Sequence, residues 1–599
     1  MKSCLFPLCM ISCALFCEEM WSSPKAVNEN IPLTQFAFPG ITLNDSGVAI
    51  VNWANYETDM AARFLYSSYS KNFGTTWSMP YRFNSPYILG GSGNRFLVSP
   101  ITPSGNSVLA WDEQMDLSSD ATSLKASYFT QSEGWQTSIE LNSPGSFPNE
   151  FIGYPFSFSI GANNRACVVW NEKNSTMTSS SVKAAFYESG WQPSTILESS
   201  SLSFTGPFLS MSTSGEKAII CWKVQTLMGS QLASRASNGT SWGPKSIISS
   251  TSPISNSISK PAIAINDDGT AVACWIEEQT MPPSSWTLYV SIYNPTLNTW
   301  STGHPLSSSS TRQFLTDPFL VINQLGHAAI TWIEVDQMMS QRYFYASFYD
   351  GTSWDTKTQI HLDGDTERTS ISVALNDSDL SVAAFLATNG SPTAPLYISS
   401  RKPSSMWTSA IEVSPDVLGL PLPYVFISLH NELAFVPFAN QDSPTEISIK
   451  EVVFSDGETS NFSINTISPS FSTLINPPWV SRSPNGVGAA AWGQVGSDLL
   501  LTSFTSSLSP PTDGVGFQTE SKFLVSTDVI NVLSWTASTT ANVRYNVYRN
   551  GTYIATTYGP SYDDHQRVLG EASLYSVTSL NEAGAESAPL LILVGASKS

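Results

Sequence analysis

Four glutamates recur at a fixed offset from an aromatic residue. Glu113, Glu172, Glu277 and Glu334 each follow a Trp by two positions, and Asp112 and Glu278 add acid beside two of them. Asn55, Asn440 and Gln494 hold the same place after other aromatics. Carboxylates and amides repeated in this way would form an acidic, amide-studded rim able to take a cation, a basic peptide or sugar hydroxyls. A solvated hairpin end tolerates the same residues. Two carboxylates from distant copies would also suffice for glycoside hydrolysis, which spacing alone leaves open. Metal chemistry has less to build on. His304, His327, His361, His430 and His565 show none of the close pairings of zinc sites, and His327 falls at a turn. No metal and no cofactor is expected. Four of the seven Cys lie in the first 17 residues, leaving Cys167, Cys221 and Cys274, too few and too odd for a disulfide framework. Strand alternation puts these three on the sheet face opposite the nearby Trp, as buried thiols.

The elements that must position these residues are repeated. A turn followed by a short apolar strand ends in an aromatic nine times: Trp53, Trp111, Trp170, Trp222, Trp275, Trp332, Phe385, Phe438 and Trp492. Successive members lie 52 to 59 residues apart. A second landmark follows most copies at Trp77, Trp135, Trp191, Trp242, Trp300, Trp354 and Trp407, with alternating strands before and after it. Each repeat thus holds four short strands joined by Gly, Asn, Asp and Ser turns, and no helix-length amphipathic segment intervenes. Four antiparallel strands per unit is the blade of a propeller. The reading is all-β: a propeller of about nine blades over residues 21–508. The ninth copy lacks an outer strand, while Trp21-Ser-Ser-Pro24-Lys25-Ala-Val27 matches Trp242-Gly-Pro244-Lys245-Ser-Ile-Ile248. The N-terminal segment is therefore expected to complete the last blade and remove an exposed sheet edge. The eighth copy is the most divergent and is expected to be distorted.

Composition narrows the partners. Aromatics reach 12%, charged residues only 13%, and the formal charge is −20, so the chain is repelled by phosphate backbones and anionic lipid. Nucleic acid is excluded as a partner on that ground. Residues 1–17 run from Lys2 through an apolar stretch to Glu18, the shape of a secretory signal peptide. Lipid anchoring at Cys17 is the lesser alternative, because Phe16 occupies a position where such signals want a small residue. No later stretch is long and apolar enough for a transmembrane helix. The protein is expected to be exported, to the periplasm, cell surface or medium, and to be a monomer.

Two resemblances add to this. Ser70-Lys-Asn72-Phe-Gly74-Thr-Thr76-Trp77 resembles the Asp-box of sialidase-like bacterial propellers, with Asn in place of Asp. The resemblance implies a turn between third and fourth strands braced by the polar side chain, and a Trp packed between blades. It implies a fold and not an activity. A sialidase would need an arginine triad, and Arg82, in Met79-Pro80-Tyr81-Arg82-Phe83, is the nearest candidate, with no Pro after it. After Pro510-Pro511, Trp535, the Asn550-Gly551 turn and Tyr575-x-Val577-x-Ser579-x-Asn581 resemble a fibronectin type III domain over residues 510–599. It implies a spacer or accessory binder.

From the sequence, the first expectation is an exported, non-enzymatic recognition protein that presents the propeller face to a protein or carbohydrate partner. The alternative is a secreted glycoside-processing enzyme with an accessory module. A structural envelope protein is a third reading.

Overall fold

The computed structural model describes residues 21–28 and, from 39 to 595, all but short stretches between strands, among them 57–62, 84–87, 90–97, 115–121, 149–155, 280–284, 419–425 and 505–510. The described secondary structure is entirely β, and no helix among those residues is long and apolar enough to cross a membrane. Two compact units are distinguished: Trp21–Phe504, and a smaller one within Thr505–Ser599. The expected signal segment 1–17 lies outside the described residues.

The larger unit is a propeller-like succession of small antiparallel sheets. The third repeat is representative. Its first strand, Phe156–Ile160, pairs with the Trp-bearing second strand Ala166–Lys173, which pairs with Ser180–Tyr187 and then Thr195–Ser200. First strands of successive repeats pack against one another, and Gly40–Leu43 of the first repeat packs against Trp479–Arg482 of the last. Such a first strand has one free edge; Pro261 and Pro318 immediately precede it in two consecutive repeats, and Pro207 lies within it, in Phe204–Met211, in the repeat before them. A missing N–H costs nothing there.

The order of burial follows from alternation. In each second strand the Trp side faces the preceding sheet, so Trp222 packs with Val169 and Leu197 of the repeat before it, while Cys221 packs with Trp275 of the repeat after. Cys167, Cys221 and Cys274 are free and buried, on the face opposite the Trp. Burial pushes all three thiols up, which makes them inert small apolar residues.

One hydrogen-bond register marks the outer strand in every repeat where it is seen. The N–H after the landmark Trp donates to the third strand: Ser78 to Tyr69, Gln136 to Tyr128, Gln192 to Phe186, Gly243 to Ala236, Ser301 to Ile292, Asp355 to Phe348 and Thr408 to Ser400. Ser22, which follows Trp21, makes the same bond to Phe504 at 2.8 Å. The serine hydroxyl that braces this turn recurs as well: Ser68 Oγ donates to the Ser78 carbonyl at 2.7 Å, and Ser503 Oγ to the Ser22 carbonyl at 2.6 Å. Lys25–Ala26 then pairs with Leu501–Thr502. The N-terminal segment therefore holds the outer position of the last sheet, and Val27, Ile41, Trp53, Ala489 and Phe504 share one apolar cluster.

The seventh and eighth repeats are fused into one sheet through the pairing of Val417 with Asn440, and among the described residues the first strand of the eighth is Phe426–Ile427. The smaller unit stacks a three-stranded sheet (Thr512–Lys522, Thr527–Thr536, Ser561–Asp564) on a four-stranded one (Thr552–Thr557, Arg544–Arg549, Ser573–Leu580, Leu590–Val594). Its core is Leu533, Trp535, Tyr545, Val547, Tyr575, Val577, Ile592 and Val594.

Candidate active site at the inner strands

Glu113, Glu172, Glu277 and Glu334 are only 2%, 4%, 6% and 1% exposed. Two residues along a strand is the same face, so each Glu lies beside its Trp in the layer between sheets. Each accepts the indole N–H: Trp111 to Glu113 at 2.7 Å, Trp170 to Glu172 at 2.8 Å, Trp275 to Glu277 at 2.9 Å and Trp332 to Glu334 at 3.0 Å. Lysines neutralise three of them, Lys125 with Glu113 at 2.9 Å, Lys183 with Glu172 at 2.5 Å and Lys357 with Glu334 at 3.1 Å. The expected acidic rim is thus corrected: these carboxylates are interior acceptors for buried indoles and ammonium groups. Asp112 is also buried, and Asn55 is 4% exposed. Half-buried Asn440 accepts from Ser414 Oγ and donates to Asp442, while Gln494 sits at a strand end opposite Leu499.

The remaining sequence candidates are dispersed. Ser70 Oγ accepts the Gly74 N–H at 2.9 Å, and Asn72 Oδ1 accepts the Thr76 N–H at 3.0 Å, so these side chains brace their turn. Gly74 has φ +71°, and a Cβ there would stand 2.1 Å from the Phe504 ring, which explains the glycine. Trp77 lies 6.1 Å from that same ring. Exposed Arg82 packs over Phe64 at 3.8 Å. His327 pairs with Asp379 at 2.8 Å, His565 with Asp528 at 2.7 Å, and His361 stacks 4.3 Å from Tyr397; His304 sits on an outer strand, and His430 lies outside the described residues.

A different cluster gathers where the first strands begin. Lys260 and Asp317 stand immediately before Pro261 and Pro318, at matching places in the fifth and sixth repeats. The Asp317 carboxylate accepts the backbone N–H of Lys260 and lies near its ammonium group. Asp317 is exposed, and partial desolvation by the surrounding protein raises its carboxyl above the usual range despite the pull of Lys260. The Lys260 ammonium is 5.6 Å from the Phe208 ring centroid, and Phe208 follows Pro207 in the fourth repeat. One strand further out, Lys223 donates to the Ile258 carbonyl at 2.8 Å, and burial lowers its pKa. An accessible carboxyl whose pKa is raised above its ordinary range is what a proton donor requires. Sequence reasoning missed these residues. The available signal was the X-Pro dipeptide at one phase of three adjacent repeats.

No protein-family model and no curated protein matches the chain. Among solved structures it is similar to an α-L-arabinanase from Penicillium chrysogenum complexed with arabinobiose, with 12% identity over 65% of this chain and all of that one, TM-score 0.32. A polysaccharide lyase, Uly1, aligns at 7% identity over 75% of this chain and all of its own, TM-score 0.39. The α-L-arabinofuranosidase Arb93A from Fusarium graminearum aligns at 9% over 66% and 98%, TM-score 0.30. At these values the likeness concerns the propeller fold and transfers no residue role. The first expectation, a non-enzymatic recognition protein, is nonetheless corrected here. The named neighbours are glycoside hydrolases and a polysaccharide lyase, and the glycoside-processing alternative is the one carried forward.

Proposed function

We propose that this chain is an exported glycoside-processing enzyme built on a nine-bladed propeller closed by its N-terminal strand, with an Asp-box turn at 70–77 and a fibronectin type III-like module over 510–599. The observation that carries the reading is Asp317, an exposed carboxyl at the start of a first strand, flanked by Lys260 and held above its usual pKa range by partial desolvation. In its protonated form it would donate to the leaving oxygen of a glycosidic bond as water adds to the sugar's anomeric carbon and gives up a proton to solvent, and Lys260 holds the carboxylate left behind. An arabinanase complexed with arabinobiose and a polysaccharide lyase among the neighbours make a glycan the first partner to try.

The test is turnover of an aryl-glycoside and polysaccharide panel by the full chain and by Asp317→Asn. General-acid catalysis contributes about 10²–10⁴-fold, and a loss on that scale is expected without a change in melting temperature. The rate should also fall as pH rises through the elevated Asp317 pKa, and Asp317→Asn should abolish that limb. A wild-type chain inert on the whole panel, or an equally active Asp317→Asn, would overturn the reading.

A further inference from the structure

A cavity of about 240 Å³ opens between the fourth and fifth repeats, beside the turns at the far end of the inner strands from Asp317. Its origin can be read from the shared hydrogen-bond register. The third-strand residue that accepts the N–H after the landmark Trp is Tyr69, Tyr128, Phe186, Phe348 or Phe504 in five repeats, and Ile292 in another. In two of these repeats the ring packs on the landmark Trp of the next repeat, Phe186 on Trp242 at 5.7 Å and Phe504 on Trp77 at 6.1 Å. In the fourth repeat the residue is Ala236, which shares an apolar cluster with Trp300 of the fifth and lines the cavity where the other repeats carry a larger side chain. Ser400 is the one other small residue at this register.

The walls are specific in chemistry. Asn238, Ser241 and Asn298 bring amides and a hydroxyl, Tyr293 and Pro295 bring flat apolar faces, and Lys217 brings a charge. Tyr293 Oη donates to Asn298 Oδ1, which fixes both side chains, and Ser241 N–H donates to Asn238 Oδ1 at 3.1 Å. Lys217 is half-buried and has no ion-pair partner among the described residues. Among the described residues no carboxylate lines the cavity, so it lacks the carboxylate oxygen ligands a divalent cation takes. The volume lies well above the ~30 Å³ of one water and below the ~300–1,000 Å³ of pockets that bury drug-sized molecules.

We propose that this cavity is a second, non-catalytic site that binds a single sugar ring, with its hydroxyls on Asn238, Ser241 and Asn298 and an apolar ring face on Tyr293 and Pro295. Lys217 meets an outer hydroxyl or, on a uronic acid, the carboxylate. A propeller whose ring positions were all aromatic would have no such site.

Methyl glucoside, methyl galactoside and methyl glucuronide, titrated calorimetrically into the full-length protein, test it. Wild type is expected to bind at least one of the three, with the glucuronide arm reporting whether Lys217 sees a carboxylate. Ala236→Phe restores the ring found in sibling repeats, so it should keep the melting temperature and weaken binding about tenfold or more. Ala236→Leu covers the case in which Phe disturbs the sheet, and Asp317→Asn should leave this binding intact. No binding of any glycoside by wild type, or unchanged binding in the folded Ala236 variants, would overturn the site and leave the Asp317 reading untouched.

Discussion

The layers between sheets in the second, third, fifth and sixth repeats differ instructively from those in the seventh and eighth. In the first group a Trp donates its indole N–H to a Glu two residues on, and in the third and sixth the Glu is further held by Ser143 or Ser307 of the preceding sheet. In the second group the aromatic is Phe385 or Phe438, and the matching residue is Ala387 or Asn440. A phenyl ring has no N–H to satisfy, and the Glu is absent with it. Phe385 instead stacks with Phe344 at 4.4 Å and with Tyr397 at 5.5 Å. The fourth repeat shows a third solution, with the Trp222 indole donating to Glu198 of the preceding sheet at 2.7 Å. At the ring closure Trp21 donates to Glu451, itself paired with Arg482 at 2.6 Å. Buried aromatic donors thus explain the recurrent acid better than any ligand does, although Trp53 and Trp492 find no indole acceptor among the described residues.

The comparison breaks most sharply at the third repeat. Glu172→Ala takes the acceptor from the Trp170 N–H and the counter-charge from the buried Lys183 ammonium, leaving it Ser143 Oγ, and a loss of about 3–5 kcal/mol is expected in denaturant unfolding. Phe385→Trp places an indole where Ala387 offers no carboxylate, and should cost about 1–3 kcal/mol. The triple change Trp170→Phe, Glu172→Ala, Lys183→Met converts the third repeat to the apolar solution. It should recover most of the Glu172→Ala loss, ending within about 1–2 kcal/mol of wild type, because an ion pair replaced whole by apolar groups is close to neutral. Failure to recover would mean that the carboxylate does more than serve the indole and lysine. The smallest effect belongs to His361 in the apolar seventh-repeat layer, where burial lowers the imidazole pKa and Asp363 opposes this weakly. A folded-state pKa below the unfolded ~6.5 means that the unfolded chain takes up the proton first. Stability should therefore be full above about pH 6.5 and fall as pH drops toward the folded value. His361→Gln should flatten that slope when melting temperature is followed against pH.

Much of the scaffold was legible in the chain itself. The regular return of the aromatic, the landmark Trp and the match of Trp21 to Trp242 foretold both the strand order and the pairing of the first segment with the last sheet. These are local patterns repeated, and repetition makes periodicity and turn chemistry readable without knowledge of contacts. The Trp-x-Glu spacing was equally visible, but its meaning was inverted. Alternation places the Glu on the face of its Trp, and which sheet covers that face is a tertiary fact. Asp317 and Lys260 lie 57 positions apart, and Ala236 differs from Phe186 by nothing that its own neighbours reveal. Only the packing of one repeat on the next brings the two charges together and turns a small side chain into a cavity. Strand phase is a property of a few consecutive residues, whereas enclosure, proton affinity and empty volume depend on surfaces that meet from separate repeats.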